Sequence, residues 1–507
     1  MYEKLLKTVT NLGSPKVLLA GDFMLDVYTY GDALRISPEA PVPVLKITKT
    51  DYGCGGAGSV AADLAALGAC PCCLGVVGDD RNAQILRRLL TQAAADITGL
   101  FTVADRPTIS KHRLIGLAQH RHQQQLFRMD EESTEPLSDQ QNDNILQTYK
   151  DKLLQTDIVC LQNHNKGLLN TFLCKEMIRL AAQAGKKVLV DPSLGGDYSK
   201  YAGATLITPN RQEASLVLGF EIESAETAAR AAQELIERLK LEAVVITLDK
   251  EGAYLKTEKV GEIIPTRPRS VYDVSGAGDM VLATLAIALA AGCDYKTAVQ
   301  LSNITGGIEV EKFGAVPVTI EEIINEIVSQ NRGKSGKIRS IDSLVRERDW
   351  HLRQNQTVVF TNGCFDMVHR GHIEFLKFCK SRGDIVIVGL NSDSSVKVIK
   401  GPDRPINNQN DRAAVLAAME TVDYITVFHE SDPLSLIKKI KPDVLVKGRD
   451  WADKGVVGQE FVESYGGRVV LAPLVKGKSS TVTIEKIKSS ERKSPWTTSQ
   501  RNTSRKR

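Results

Sequence analysis

Short apolar runs alternate with amphipathic stretches along nearly the whole of this chain, and that alternation leaves few architectures open. Residues 17–20, 74–77, 158–161, 188–190 and 244–247 read as buried strands, with helical patterns such as 59–67 and 224–239 between them. Strands and helices taken in turn imply an α/β domain with a largely parallel sheet. The pattern runs to about residue 327 and gives way to the polar, basic, glycine-bearing stretch Ser329-Gln330-Asn331-Arg332-Gly333-Lys334-Ser335-Gly336-Lys337. It then resumes: 358–361, 385–390, 444–447 and 469–472 read as strands, 371–381 and 409–418 as helices, which makes a second, compact doubly wound domain. We therefore expect a first domain over 1–327, a linker over 328–350, a second domain over 351–488, and a disordered basic tail over 489–507.

Two domains also follow from length, because a single core stops growing at about 250–300 residues and this chain has 507. A net charge of +4 on such a chain is too small to draw it to nucleic acid or to a membrane surface. The first twelve residues carry charge throughout and lack the apolar core of a signal peptide, and nothing approaches the roughly 18 apolar residues of a membrane span. The nine cysteines are an odd, scattered set rather than a disulfide framework, so a cytoplasmic location is expected. Cys70-Pro71-Cys72-Cys73 lacks a second ligand cluster at zinc-finger spacing and reads as small residues on a strand.

In the first half the chemistry concentrates in Asp273-Val274-Ser275-Gly276-Ala277-Gly278-Asp279, which precedes an apolar helical run over 280–290. Small residues at a helix start let backbone N–H groups converge on an anion, and the helix dipole adds to the attraction. Asp279 is placed to take the proton of a hydroxyl attacking a γ-phosphate. A tight turn with an N-cap accounts for the same residues. Thr208-Pro209-Asn210-Arg211-Gln212-Glu213 follows a strand-like run and sets an Asn and a Glu one helical turn apart, suited to holding Mg²⁺ through water near phosphates. Gly53-Cys54-Gly55-Gly56-Ala57-Gly58, with Asp79-Asp80 downstream, fits a dinucleotide fingerprint, although no redox constellation follows it. The Gly-Lys-Ser sequences at 333 and 477 lack the upstream glycine of a P-loop.

Together these segments resemble the ribokinase-like carbohydrate kinase family. The resemblance implies a three-layer α/β domain in which Asp279 is the base and Gly276, Ala277 and Gly278 form the anion hole. It further implies that Asn210, Arg211, Gln212 and Glu213 organise ATP and its Mg²⁺, and that Asn303 borders the adenosine. Asp22, Asp26, Gly55, Gly56 and Arg113 match sugar-contacting segments, and residues 108–113 and 123–130 look most like the heptose-phosphate kinases. The chain departs from the family pattern at Ser59, Asn163, Asn165 and Ser193.

The second half carries Thr361-Asn362-Gly363-Cys364-Phe365-Asp366-Met367-Val368-His369-Arg370-Gly371-His372 directly after a strand and into a helix. Two histidines around a glycine at a helix start can face one triphosphate and donate hydrogen bonds as charge builds on the α-phosphate and leaving pyrophosphate. Two histidines without a third ligand do not make a zinc site. This segment resembles the cytidylyltransferase-like nucleotidyltransferase superfamily, which implies a Rossmann-like domain with His369 and His372 as the catalytic pair. By the same resemblance Asn362, Gly363, Phe365, Lys400, Arg404, Lys447, Ser480 and Thr481 contact the nucleotide and Asp366 the sugar phosphate. Arg449 stands where that family often has glycine.

In order and extent the two halves are similar to the bifunctional heptose kinase/adenylyltransferases. That likeness implies phosphorylation of heptose 7-phosphate by ATP and Mg²⁺, adenylyl transfer to heptose 1-phosphate, and a homodimer formed through the kinase half. Its partners would be ATP and sugar phosphates, with no nucleic acid and no membrane. The same chemistries on another sugar phosphate, or a kinase half kept for binding or dimerisation, are the alternatives.

Overall fold

The computed structural model describes residues 2–117, 124–267, 269, 276–312, 314, 316–332, 336–353, 355–452 and 455–473. The chain divides into two compact units, Met1–Ile327 and Val328–Arg507. The expected basic tail lies outside the described residues.

The first unit contains strands β1 (Lys16–Gly21), β2 (Phe23–Ile36), β3 (Pro43–Gly56), β4 (Cys70–Val77), β5 (Asp96–Thr102), β6 (Ser110–Leu117), β7 (Gln124–Glu131), β8 (Ile158–Gln162), β9 (Lys187–Asp191), β10 (Leu206–Ile207), β11 (Ala243–Thr247), β12 (Ala253–Thr257) and β13 (Gly261–Ile264). Nine of them form one sheet in the order β13-β12-β11-β10-β9-β8-β1-β4-β5, parallel except for the β12–β13 edge. Both faces are covered, which is why these strands read as unbroken apolar runs rather than alternating ones. Leu18, Ala20, Val159, Leu161, Val188 and Val190 share a core with the helices Asp139–Leu153, Thr171–Gln183 and Ala225–Leu239. On the other side lie the helices Ala57–Ala66, Ala277–Ala290 and Tyr295–Glu309. Every residue from Met280 to Leu289 is buried, as expected of a helix apolar on all sides.

From β1 the sheet extends through β4 and β5 in one direction and through β8 to β13 in the other. Connections leaving β1 and β8 therefore diverge and open a crevice at their carboxyl ends, where α/β sheets take ligands. The remaining four strands make a separate sheet, β3-β2-β6-β7. Here the dinucleotide reading loses its context: Gly53, Gly55 and Gly56 end β3, which runs antiparallel to β2 rather than within a parallel βαβ unit. Asp80 is spent on capping the helix Arg81–Gln92, accepting from Ala83 N at 2.7 Å.

In the second unit β14 (Val358–Gly363), β15 (Ile385–Asn391), β16 (Tyr424–Phe428), β17 (Val444–Gly448) and β18 (Arg468–Ala472) form an all-parallel sheet in the order β16-β15-β14-β17-β18. The order reverses at β14, which puts the crevice at the ends of β14 and β17. One face packs on the helices Arg370–Lys380 and Gln409–Ala417, the other on Ile341–Arg353 and Leu434–Ile440.

The linker expected over 328–350 is corrected by this unit. Helix Ile320–Arg332 runs past its start, and helix Ile341–Arg353 occupies its end, with Leu344 fully buried in the core. Arg339 is ion-paired to Glu347 at 2.9 Å, both buried, and His351 sits between Gln356 at 2.6 Å and the Tyr424 hydroxyl at 2.9 Å. In the described part of the segment, Arg339 and Glu347 neutralise each other within the fold, so polar residues here belong to packed structure. No described helix is long and apolar enough to cross a membrane.

Candidate active sites

The first site gathers at the β1/β8 crevice. Gln162 ends β8 with its side chain fully buried, and its Nε2 donates to Asp279 Oδ1 at 2.6 Å and to Asp191 Oδ2 at 2.9 Å. Asp191, at the end of β9, also accepts from Thr208 Oγ at 2.9 Å. A hydrogen-bonded row thus crosses three strand ends to reach Asp279 in the first turn of helix Ala277–Ala290. Burial drives the Asp279 carboxyl well above its ordinary range, with Asp191 and Glu309 adding to the effect. Burial likewise raises Asp191 to about 6. Gly276 opens the helix at φ 90°, a left-handed turn that suits glycine, and Gly278 faces Asp191. Residues 273–275 of that motif lie outside the described residues.

Asn210 and Glu213 form a reciprocal cap on helix Arg211–Leu218: Glu213 Oε2 accepts from Asn210 N at 2.8 Å, and Asn210 Oδ1 from Glu213 N at 2.9 Å. Burial and the nearby Asp191 push the Glu213 carboxyl up to about 7. Gln212 is exposed on the same turn. Arg211 pairs with Asp249 at 3.1 Å and Glu251 at 2.8 Å and holds the turn after β11. Asn303 likewise donates to the Ile264 carbonyl at 2.7 Å, tying helix Tyr295–Glu309 to β13.

On the sugar side, Asp26 and Arg113 of the small sheet form a buried pair at 2.6 Å. Asp22, just beyond β1, accepts from the backbone N–H groups of His164 at 2.9 Å and Lys166 at 3.2 Å, which fixes the loop after β8. Gly55 and Gly56 pack against these two acids: a Cβ on Gly55 would lie 2.8 Å from Asp26 Oδ2, and one on Gly56 2.6 Å from the Asp22 carbonyl. Two departures from the family pattern are absorbed locally. Asn163 donates to the Tyr201 hydroxyl at 2.6 Å, and Asn165 takes φ 59°, a conformation asparagine tolerates in place of glycine.

Sequence reasoning missed Gln162, Asp191 and His164 as members of this site, and met Thr208 only as the start of the 208–213 motif. Each lies at or just past the end of a parallel strand, which is the signal that could have found them.

The second site lies at the end of β14. His369 is the N-cap of helix Arg370–Lys380; its Nδ1 accepts from Gly371 N at 3.1 Å, while His372 Nδ1 accepts from His369 N at 3.3 Å. The pair is thus a capping box built from imidazoles, with the rings stacked 4.1 Å apart. Because both Nδ1 atoms accept, each neutral ring carries its proton on Nε2, the outward donor. Burial, then the neighbouring His369 and Lys400, lowers His372 to about 4, so it stays neutral near pH 7. Phe365 turns the chain at φ 44° and packs against the His372 ring at 5.2 Å. Gly363 lies against the Phe365 ring.

Asn362, next to last in β14, accepts from Lys447, next to last in β17, whose ammonium also lies 5.2 Å from the Trp451 ring. Lys400 is exposed at the end of helix Asp393–Lys400. Asp366, expected to contact the sugar phosphate, is engaged within the fold. Its side chain is fully enclosed and accepts from Arg404 Nε at 2.5 Å, Ile406 N at 2.7 Å and Asn407 N at 3.1 Å. Burial alone would raise its pKa, but these donors hold it below the ordinary value. Asp366 therefore anchors the 404–407 loop and orients Arg404. Arg412, 1% exposed, does similar work by donating to the carbonyls of Cys364 at 2.5 Å and Asn407 at 3.1 Å and pairing with Asp393 at 2.8 Å. Ser480 and Thr481 lie outside the described residues.

Comparison with known proteins agrees with this division. The pfkB family carbohydrate kinase profile matches residues 14–322, and the Cytidylyltransferase-like profile residues 360–498. Bifunctional protein HldE of Geobacter metallireducens is 41% identical over 93% of this chain and 95% of its own length. That of Pelobacter propionicus is 41% identical over 96% and 99%, and that of Mesorhizobium japonicum 40% over 96% and 97%. Among solved structures, phosphofructokinase-2 from Escherichia coli in its tetrameric inhibited form superposes with a TM-score of 0.52 at 19% identity. It covers 63% of this chain and 100% of its own, a likeness of fold. The chain is thus an enzyme with a ribokinase-like carbohydrate kinase half and a nucleotidyltransferase half, and it belongs to the family of bifunctional HldE proteins.

Proposed function

We propose that the chain makes ADP-heptose in two separate reactions. In the first, ATP phosphorylates D-glycero-β-D-manno-heptose 7-phosphate at O1. In the second, after another enzyme has removed the 7-phosphate, adenylyl transfer from ATP to heptose 1-phosphate releases pyrophosphate. The observation that carries this reading is the pairing on one chain of two phosphate-directed helix starts, Asp279 in one unit and His369-Arg370-Gly371-His372 in the other, each at the carboxyl ends of its own sheet.

In the kinase reaction Asp279 takes the proton from the sugar hydroxyl as its oxygen bonds to the γ-phosphorus and the bond to ADP breaks. Oδ1 of Asp279 is held by Gln162, which leaves Oδ2 for the substrate. Gly276, Ala277 and Gly278 supply the backbone donors for the transferring group. Glu213 would hold a hydrated Mg²⁺, and the cation would offset the burial and the neighbouring Asp191 that raise the proton affinity of its carboxyl. That ion would supply charge neutralisation on the polyphosphate. In the second reaction the Nε2 protons of His369 and His372 meet the charge that grows on the phosphates, with Lys447, Lys400 and Arg404 as further cations.

The small sheet exposes Ile36, Ile47, Phe127 and Met129, at 64%, 63%, 60% and 46%, and this face supports a homodimer formed through the kinase half. A cytoplasmic setting suits substrates of this kind.

Reciprocal variants test the reading. Asp279→Asn should abolish phosphorylation of heptose 7-phosphate and leave adenylyl transfer intact, while His369→Ala or His372→Ala should do the reverse, with products identified by mass. Loss of both activities in one folded variant would refute two independent sites.

A further inference from the structure

The kinase site contains a group that family motifs do not account for. Gln162 is the last residue of β8, its side chain has no solvent exposure, and Gly21 of the neighbouring strand packs directly against its backbone. Its single amide nitrogen reaches Asp279 Oδ1 at 2.6 Å and Asp191 Oδ2 at 2.9 Å, with His164 Nε2 at 3.3 Å. An amide nitrogen has two protons, and the two carboxylates are the stronger acceptors, so both protons go to them. Among the described residues Gln162 Oε1 has no hydrogen-bond partner in its buried position, as expected if the amide's orientation is dictated by its nitrogen.

Resting on Asp279 as the base, we propose that Gln162 is a positioning residue that aims Asp279 and keeps it ionised by bridging it to Asp191. The physical need is clear from what faces Asp279. Burial, Asp191 on β9, Glu309 on helix Tyr295–Glu309 and Asp26 on β2 all raise its proton affinity, and Asp63 on helix Ala57–Ala66 adds another carboxyl in the same field. Against them stands Lys111 on β6, which favours the ionised form. A donor to the carboxylate favours its charged form, so Gln162 works on the same side as Lys111. The bond also removes Oδ1 from use and turns Oδ2 toward the incoming hydroxyl.

Removing the amide should raise the Asp279 pKa. Since the base must be ionised, the acid limb of kinase activity then moves to higher pH. The test measures kcat, KM and the pH profile of heptose 7-phosphate phosphorylation for the full chain and for Gln162→Ala, Gln162→Glu and Asp279→Asn. Adenylyl transfer and the unfolding midpoint are followed in parallel. We expect Gln162→Ala to lose roughly tenfold or more in kcat near pH 7, with KM for both substrates within about twofold and the acid limb displaced upward by about one unit. Gln162→Glu, nearly the same shape but with a carboxylate in place of the donors, should displace it further; it carries the test if Gln162→Ala does not fold. An acid limb unmoved in both folded variants overturns the proposal, even if the rate falls. Should Asp279→Asn keep its kinase activity, the assignment of the base fails instead, and the two outcomes are distinguishable.

Discussion

Substituting alanine for Gly56 should destabilise the kinase unit through both its backbone and its packing. Gly56 sits at φ 55°, ψ −129°, where residues with a side chain are rarely found, and the strain of holding alanine there is about 1–3 kcal/mol. The added Cβ would also stand 2.6 Å from the Asp22 carbonyl oxygen and 3.1 Å from His164 Cδ2. That carbonyl cannot retreat freely, because it accepts from Ala57 N at 3.0 Å where the helix begins. Overpacking of this kind adds about 1–3 kcal/mol, for a total of roughly 2–6 kcal/mol. At about 2 °C per kcal/mol for a unit of this size, the kinase unit's own melting transition should fall by roughly 4–12 °C. Gly55→Ala is the comparison: no left-handed backbone is involved, and the clash at 2.8 Å is with the Asp26 side chain. Asp26 would be pushed off Arg113, so the sugar KM should rise with a much smaller thermal shift. Calorimetry with kinase and adenylyl-transfer assays on both variants would decide. A Gly56→Ala protein melting within about 2 °C of the parent with full kinase activity would refute the reasoning.

Arg412→Met should unfold the loop around Cys364 and Asn407, because it strands two carbonyls and leaves Asp393 unpaired; a loss of about 3–5 kcal/mol in the second unit is expected, measured by chemical unfolding, with kinase activity preserved. His372 binds its proton less readily in the folded protein, at about 4, than in the unfolded chain at about 6.5. Its contribution to stability is therefore complete above pH 6.5 and falls as the pH drops toward 4. The difference in unfolding free energy between the parent and His372→Gln should be constant from pH 8 to 6.5 and shrink below that, and a constant difference down to pH 4.5 would contradict it.

The central strands were legible because the nine-stranded and five-stranded sheets are buried on two faces, so β1, β4, β8, β9, β11, β14, β15, β17 and β18 announce themselves as short apolar runs, and the helix Met280–Leu289 as an apolar one; the four strands of the small sheet were not read. Asp279 and the two histidines were legible for a related reason: they belong to contiguous strand-turn-helix segments, whose geometry is local. Helix Ile341–Arg353 was not, since its polar surface is neutralised by Arg339, Gln356 and Tyr424, which only folding brings to it. Nor could sequence tell that Arg211, Asn303 and Asp366 have partners within the fold, because those partners lie 38 to 41 positions away for Arg211 and Asp366 and across a helix–strand contact for Asn303. The same separation hid Gln162, which is 117 residues from Asp279. Sequence by itself determined the two units, their layered α/β character and the residues at each helix start, all consequences of periodicity and short-range turn chemistry. Which side chains face one another across the strand ends was decided only by the tertiary structure, because the order of strands in a sheet sets those contacts and their order along the chain does not.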